Sequence, residues 1–202
     1  MKPTLVHSAD LEYRTLAEAR VNVDRAHRLD GLAIVFNSQS VDLGGFVEVI
    51  APEAVDRTLA GGADVRALVD HDAAKILGRT RAGTLTMRKE SRGLRVRIET
   101  DPEISYVKDL LRSVDRGDVS GMSFGFRVMP NGDDWDFNQS PPLRTIYDMQ
   151  VREVSVVTFP AYEATNVDIA MRSMLECRSA HGLNGSRLGW LKRWHAIRVA
   201  GG

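Results

Sequence analysis

The 202-residue sequence contains a single cysteine, Cys177, so no intramolecular disulfide can form. That fits a reducing compartment. It has no apolar run long enough to span a membrane. Behind Met1 and Lys2 there is no continuous apolar stretch of the kind a signal peptide needs, so the chain is expected to stay in the cytosol where it is made. Net charge is also missing: 27 basic residues balance 27 acidic ones, and overall charge gives no reason to expect nucleic-acid binding. GGFVEV and LAGGAD lack the spacing and the Lys-Ser/Thr of a nucleotide loop. The lone cysteine lies far from any zinc-like histidine pair, and no cofactor or metal is expected.

What is present is the composition of an ordinary globular protein, 43% apolar and 27% charged, long enough to bury a core without staples. The charge is uneven. From Met171 to Gly202 there are six Arg or Lys residues against one acid, Glu176. The chain therefore reads as an N-terminal segment at 1–28, a core domain at 29–170 and a basic C-terminal tail at 171–202. Residues 1–29 suggest a short strand and a connecting segment.

From Leu29 onward the pattern is one of short strands. GLAIVFNS, FVEVI, VRALVDHD, ILGRT, TLTMRKES, GLRVRIET, GMSFGFRVM, LRTIYDM and VREVSVVTF are each β-like and bounded by Gly or polar residues. PEAVDRTLAGG predicts a short helix with Pro52 in its first turn and Gly61-Gly62 at its stop. Ile104, Val107, Leu110, Leu111 and Val114 fall at helical spacing, and Gly117 closes that helix. Residues 131–142 suggest a mobile hairpin tip after the Asn-Gly turn, and 164–178 a further helix. Many strands with few helices predict an α+β, mainly β fold: a closed or nearly closed barrel surrounded by a few helices.

Three residues stand out chemically. In GMSFGFRV, Met122, Phe124, Phe126 and Val128 share the face that must be buried, leaving Gly121, Ser123, Gly125 and Arg127 on the other. Ser123 thus lies on a strip bared by Gly121 and Gly125, where an extended substrate could approach and pair as an added strand. Close packing of a glycine-rich strand explains the same pattern. The Gly-x-Ser-x-Gly spacing also matches a nucleophile elbow, but an elbow needs a sharp turn into a helix, and Phe-Gly-Phe-Arg-Val continues the strand. His71 ends the alternation Val65, Ala67, Val69, at a half-sheltered position suited to a general base. It could equally satisfy a backbone carbonyl, or join Asp70 and Asp72 around a metal. Glu153 shares a face with Val151, Ser155 and Val157. A carboxylate amid valines needs a partner: His71, or Arg127 in a structural ion pair.

Taken together, GLAIVFN, FVEVIAPEAVDRTL, LVDHD with ILGRT, GLRVRIE, RGDVSGMSFGF and VREVSVVTFPAYEATNV, in that order, resemble the prohead proteases of tailed bacteriophages, whose fold is similar to the herpesvirus assembly protease. The resemblance runs from about Gly31 to Asp168. It implies a serine endopeptidase that cleaves the scaffold protein, or the scaffolding domain of the major capsid protein, and then itself, inside the assembling prohead in the host cytoplasm. It implies Ser123 as nucleophile, His71 as base and Glu153 as third member, with self-association and with no need of nucleic acid or membrane. It places the oxyanion donors near Ala161 and Tyr162. Glu53 stands where many members have glycine, away from the proposed triad. An inactive scaffold module on the same fold is the competing expectation.

Overall fold

The computed structural model describes residues 11–24, 26–159 and 167–180. Its strands in chain order are β1 (Glu12–Val23), β2 (Arg28–Val35), β3 (Val47–Ile50), β4 (Arg66–Val69), β5 (Asp72–Arg79), β6 (Leu85–Lys89), β7 (Gly93–Glu99), β8 (Gly121–Val128), β9 (Asp133–Asp136), β10 (Leu143–Ile146) and β11 (Met149–Val157). The helices are α1 (Asp56–Ala60), preceded by a 3-10 turn at Pro52–Val55, α2 (Ser105–Arg116) and α3 (Val167–Ala180). None is long and apolar enough to cross a membrane.

Eight strands form one sheet in the order β5-β4-β11-β8-β1-β2-β7-β6. The sheet curls until its two ends nearly meet, which makes the mainly β, nearly closed barrel that the strand pattern predicts. At Gly78 on β5 an added Cβ would lie 2.7 Å from the Thr84 carbonyl oxygen and 2.9 Å from Ile98 on β7, so glycine permits that close approach. The barrel is filled by inward residues that alternate along the strands, including Leu29, Leu94, Val96, Met122, Phe124 and Phe126. Helix α2 buries Val107, Leu110, Leu111 and Val114 against this core. Each such burial contributes about 1.5–3 kcal/mol. Gly117 ends the helix with φ +82°, a conformation that glycine adopts without a Cβ penalty. Ile104 precedes the helix and stays partly exposed.

A smaller sheet, β3-β10-β9, packs beside the barrel. It contains β9, inside the segment expected to be only a mobile hairpin tip. Trp135 turns inward from β9 against Phe46, and Asp133 bonds Arg144 on β10. Side chains from these strands meet β1 in a buried charged cluster. Arg144 bonds both Glu12 and Glu48, and Arg14 bonds the same two carboxylates.

Residues 12–23 are not a short strand ahead of the barrel. They form the twelve-residue β1 between β8 and β2. Its charged side chains hide the strand from a hydropathy reading, because Glu12 and Arg14 are buried by pairing rather than by being apolar.

Candidate active site

The central pair β8 and β11 runs antiparallel, with Ser155 opposite Ser123 and Glu153 opposite Gly125. Directly opposed residues on such a pair share a face. Ser123, Gly125, Glu153 and Ser155 therefore lie together, on the face away from Phe124 and Phe126. A bulge at Arg152 creates this arrangement. The register shifts between Val151 and Glu153, so Val151 pairs with Phe126 on the core side while Glu153 points outward. The expected shared face of Val151 and Glu153 is thus broken by one inserted residue.

His71 is not on a strand end. β4 and β5 form a hairpin in which Val69 pairs with Asp72, leaving Asp70 and His71 as a two-residue turn. Both have positive φ, +46° and +60°, as a type I′ turn requires. Asp and His tolerate this region better than most residues, though neither is glycine. Packing against β11 holds the turn. The Asp70 N–H donates to the Val156 carbonyl, and the Asp70 carboxylate accepts the Thr158 N–H (2.8 Å) and hydroxyl (3.1 Å).

This turn aims the imidazole at β11. His71 Nδ1 lies 2.7 Å from Glu153 Oε1. An ionised carboxylate only accepts, so Nδ1 carries the proton; in a neutral imidazole Nε2 is then the acceptor, the tautomer a general base needs. Arg127 plays no part in this pairing. The Tyr13 ring packs edge-on against the imidazole, with centroids 4.6 Å apart. Burial raises the Tyr13 hydroxyl above its ordinary value, and the negative charge of Glu153 adds to the shift, so the ring stays neutral.

The Ser123 hydroxyl donates to the Arg14 carbonyl on β1 at 2.9 Å, and the residue is only 1% exposed. No hydrogen bond joins Ser123 to His71. Catalytic contacts are often loose before substrate binds. β8 is paired on both sides, to β11 and to β1, so the expected strand addition beside β8 has no free edge to use. The space bared by Gly125 is also taken from within. A Cβ there would lie 2.8 Å from Glu153 Oε1 and 2.9 Å from Tyr13 Cε1. Gly121 pairs with Val157 and Arg20 on the two flanking strands.

Gly125→Ala is therefore expected to displace the Glu153 carboxylate rather than the backbone, since the nearest atom is a side-chain end. Thermal unfolding should move by only a few degrees, while the downfield proton NMR signal of the His71 Nδ1–H shifts or broadens as its carboxylate partner moves. An unchanged signal in the purified variant would mean that the Glu153 carboxylate is not displaced.

Asp70 and Asp72 do not converge on His71. The first binds Thr158, and the second accepts the Ala74 N–H and pairs with Lys75. Among the described residues no group of three potential ligands could hold a metal. Ala161 and Tyr162 lie outside the described residues. Two contributors escaped the sequence reading. Tyr13 sits in a polar stretch without periodicity. Ser155 carries a legible signal, since in Glu-Val-Ser the glutamate and serine share a strand face.

Comparison with known proteins decides the family. The caudovirus prohead serine protease family model matches residues 13–179. The chain belongs to this family. It is 32% identical over 146 residues to the prohead protease of Enterobacteria phage HK97, a match covering 72% of this chain and 60% of that protein. The chain thus spans about three-fifths of the length of that relative. Among solved structures, the capsid assembly protease of bacteriophage T4 aligns over 73% of this chain and 97% of its own, with 11% identity and a TM-score of 0.48.

Proposed function

We propose that this prohead protease family member is a serine endopeptidase in which Ser123 is the nucleophile, His71 the general base and Glu153 the residue that orients the base. The observation carrying this reading is the 2.7 Å contact from His71 Nδ1 to Glu153 Oε1, on the sheet face that also bears Ser123. The Ser123 hydroxyl exchanges its Arg14 carbonyl for His71 Nε2 and attacks the scissile carbonyl as the proton passes to the imidazole. Glu153 keeps the imidazole in the needed tautomer and stabilises the imidazolium. That proton then goes to the leaving amine, and water, activated by His71, hydrolyses the acyl-enzyme. Oxyanion donors come from backbone N–H groups near Ala161 and Tyr162, after the end of β11.

The substrates are the scaffold protein or the scaffolding domain of the major capsid protein, and the protease itself, cut inside the prohead in the host cytoplasm. Family membership and the HK97 relative, itself named a prohead protease, support this assignment. Co-expression with the neighbouring capsid or scaffold protein tests it. Discrete cleavage products on gels and by intact mass are expected with the wild-type chain.

One observation favours a second reading. A nucleophile that is 1% exposed and bonded to a backbone carbonyl suits an inactive scaffold module. Uncut partner proteins that still assemble with the chain would favour that reading.

A further inference from the structure

The carboxylate of Glu153 has two oxygens, and each has one partner. Oε1 meets His71 Nδ1 at 2.7 Å, and Oε2 accepts the Ser155 hydroxyl at 2.5 Å. The same Ser155 oxygen accepts the backbone N–H of His71 at 3.3 Å. Ser155 therefore touches both the carboxylate and the peptide of the histidine, closing a ring that runs through the imidazole. It is fully buried, at 0% exposure, so water does not compete for either bond. It also stands directly across from Ser123 in the β8–β11 register.

A buried serine that only needed satisfying could bond any nearby carbonyl. Here it takes the far oxygen of the carboxylate that holds the base. Without that bond only the His71 contact restrains the carboxyl group about its last torsion, which is broad and roughly two-fold. The His71 turn would also lose one of its ties to β11, at a residue whose positive φ needs outside support.

We propose that Ser155 is a positioning residue for the His71–Glu153 pair: its hydroxyl fixes the rotation of the Glu153 carboxylate, and its oxygen holds the turn that presents His71. This rests on the serine-protease reading above. It predicts loss of reactivity without loss of fold when the hydroxyl is removed, and recovery when a hydroxyl is restored.

The test uses the full chain with Ser155→Ala and Ser155→Thr, and has two readouts. The first is the rate of modification by diisopropyl fluorophosphate across a pH series. The second is the proton NMR signal of the His71 Nδ1–H, which a short bond to a carboxylate moves far downfield. Ser155→Ala is expected to react at least about 10-fold more slowly, a typical cost of losing a supporting hydrogen bond at an active site. Its Nδ1–H signal should move upfield or broaden away, while the melting curve stays cooperative. Ser155→Thr should recover most of the rate and the signal. An Nδ1–H signal unchanged in Ser155→Ala would overturn the inference, whatever the rate does, because Ser155 would then be only structural. If the wild type does not react at all, the protease reading fails while the NMR comparison still judges Ser155.

Discussion

Ser123→Ala is expected to abolish cleavage of the co-expressed capsid or scaffold protein, with turnover lowered on the order of a million-fold. The nucleophile and base of such a site act as one unit, so His71→Ala should cost about as much, and combining the two should add little. Glu153→Gln keeps the shape but changes what Nδ1 meets. An amide oxygen still accepts, but the imidazolium formed during attack loses its countercharge. Its cost should be smaller, on the order of ten-thousand-fold. The order of these effects is informative because the structure assigns each residue a distinct contact. Glu153 touches the His71 imidazole and not the Ser123 hydroxyl. Rates from gels of purified components would reveal the order. Equal mild losses in all three variants would point to folding defects instead.

The second large effect is on stability. Arg144 is fully buried and bonds Glu12, Glu48 and Asp133, while its guanidinium lies 5.7 Å from the Trp135 ring centre. Removing one member of a buried ion cluster leaves its partners desolvated and uncompensated, which typically costs about 3–5 kcal/mol. Arg144→Met should therefore unfold at distinctly lower denaturant concentration than wild type, measured at neutral pH. Burial opposes ionisation of Glu12, yet the charges and hydrogen bonds of Arg144 and Arg14 outweigh it and hold the carboxyl below its ordinary value. A carboxylate depressed in the folded state contributes stability above its unfolded pKa and loses it as pH falls through the folded one. The wild type thus has more to lose on acidification than the variant. The gap between the two should narrow once the pH drops below the ordinary carboxylate range. A gap that stays constant with pH would mean that the cluster contributes through packing rather than charge.

Much of this architecture is legible in the sequence because apolar periodicity and burial coincide. The α2 face and the inward set of β8 follow directly from spacing. β1 and β9 are harder to see for one shared reason. Glu12, Arg14 and Asp133 reach buried positions through ion pairs, and no hydropathy pattern reports a partner that is distant in the chain. The site divides along the same line. Ser123 and Glu153 can be singled out on their strands, and His71 by its chemistry. The bulge at Arg152 and the tight turn at Asp70–His71 cannot be read from alternation, because each breaks it by one residue. Those two irregularities bring the imidazole to the carboxylate. The substrate path is the least legible part: two glycines on a strand suggest open space, and Tyr13 and Glu153 fill that beside Gly125.

The direct trial of Ser123 is covalent labelling. Diisopropyl fluorophosphate forms a bond to an activated serine oxygen as fluoride leaves and the hydroxyl proton passes to the base. Trypsin should release Gly117–Arg127, which contains both Ser120 and Ser123, and fragmentation of that peptide locates the adduct. The expected result is a single stoichiometric adduct on Ser123 in the wild type and none in His71→Ala. An adduct on another residue, or equal labelling of Ser123 with and without His71, would contradict the assignment of Ser123 and His71 as nucleophile and base.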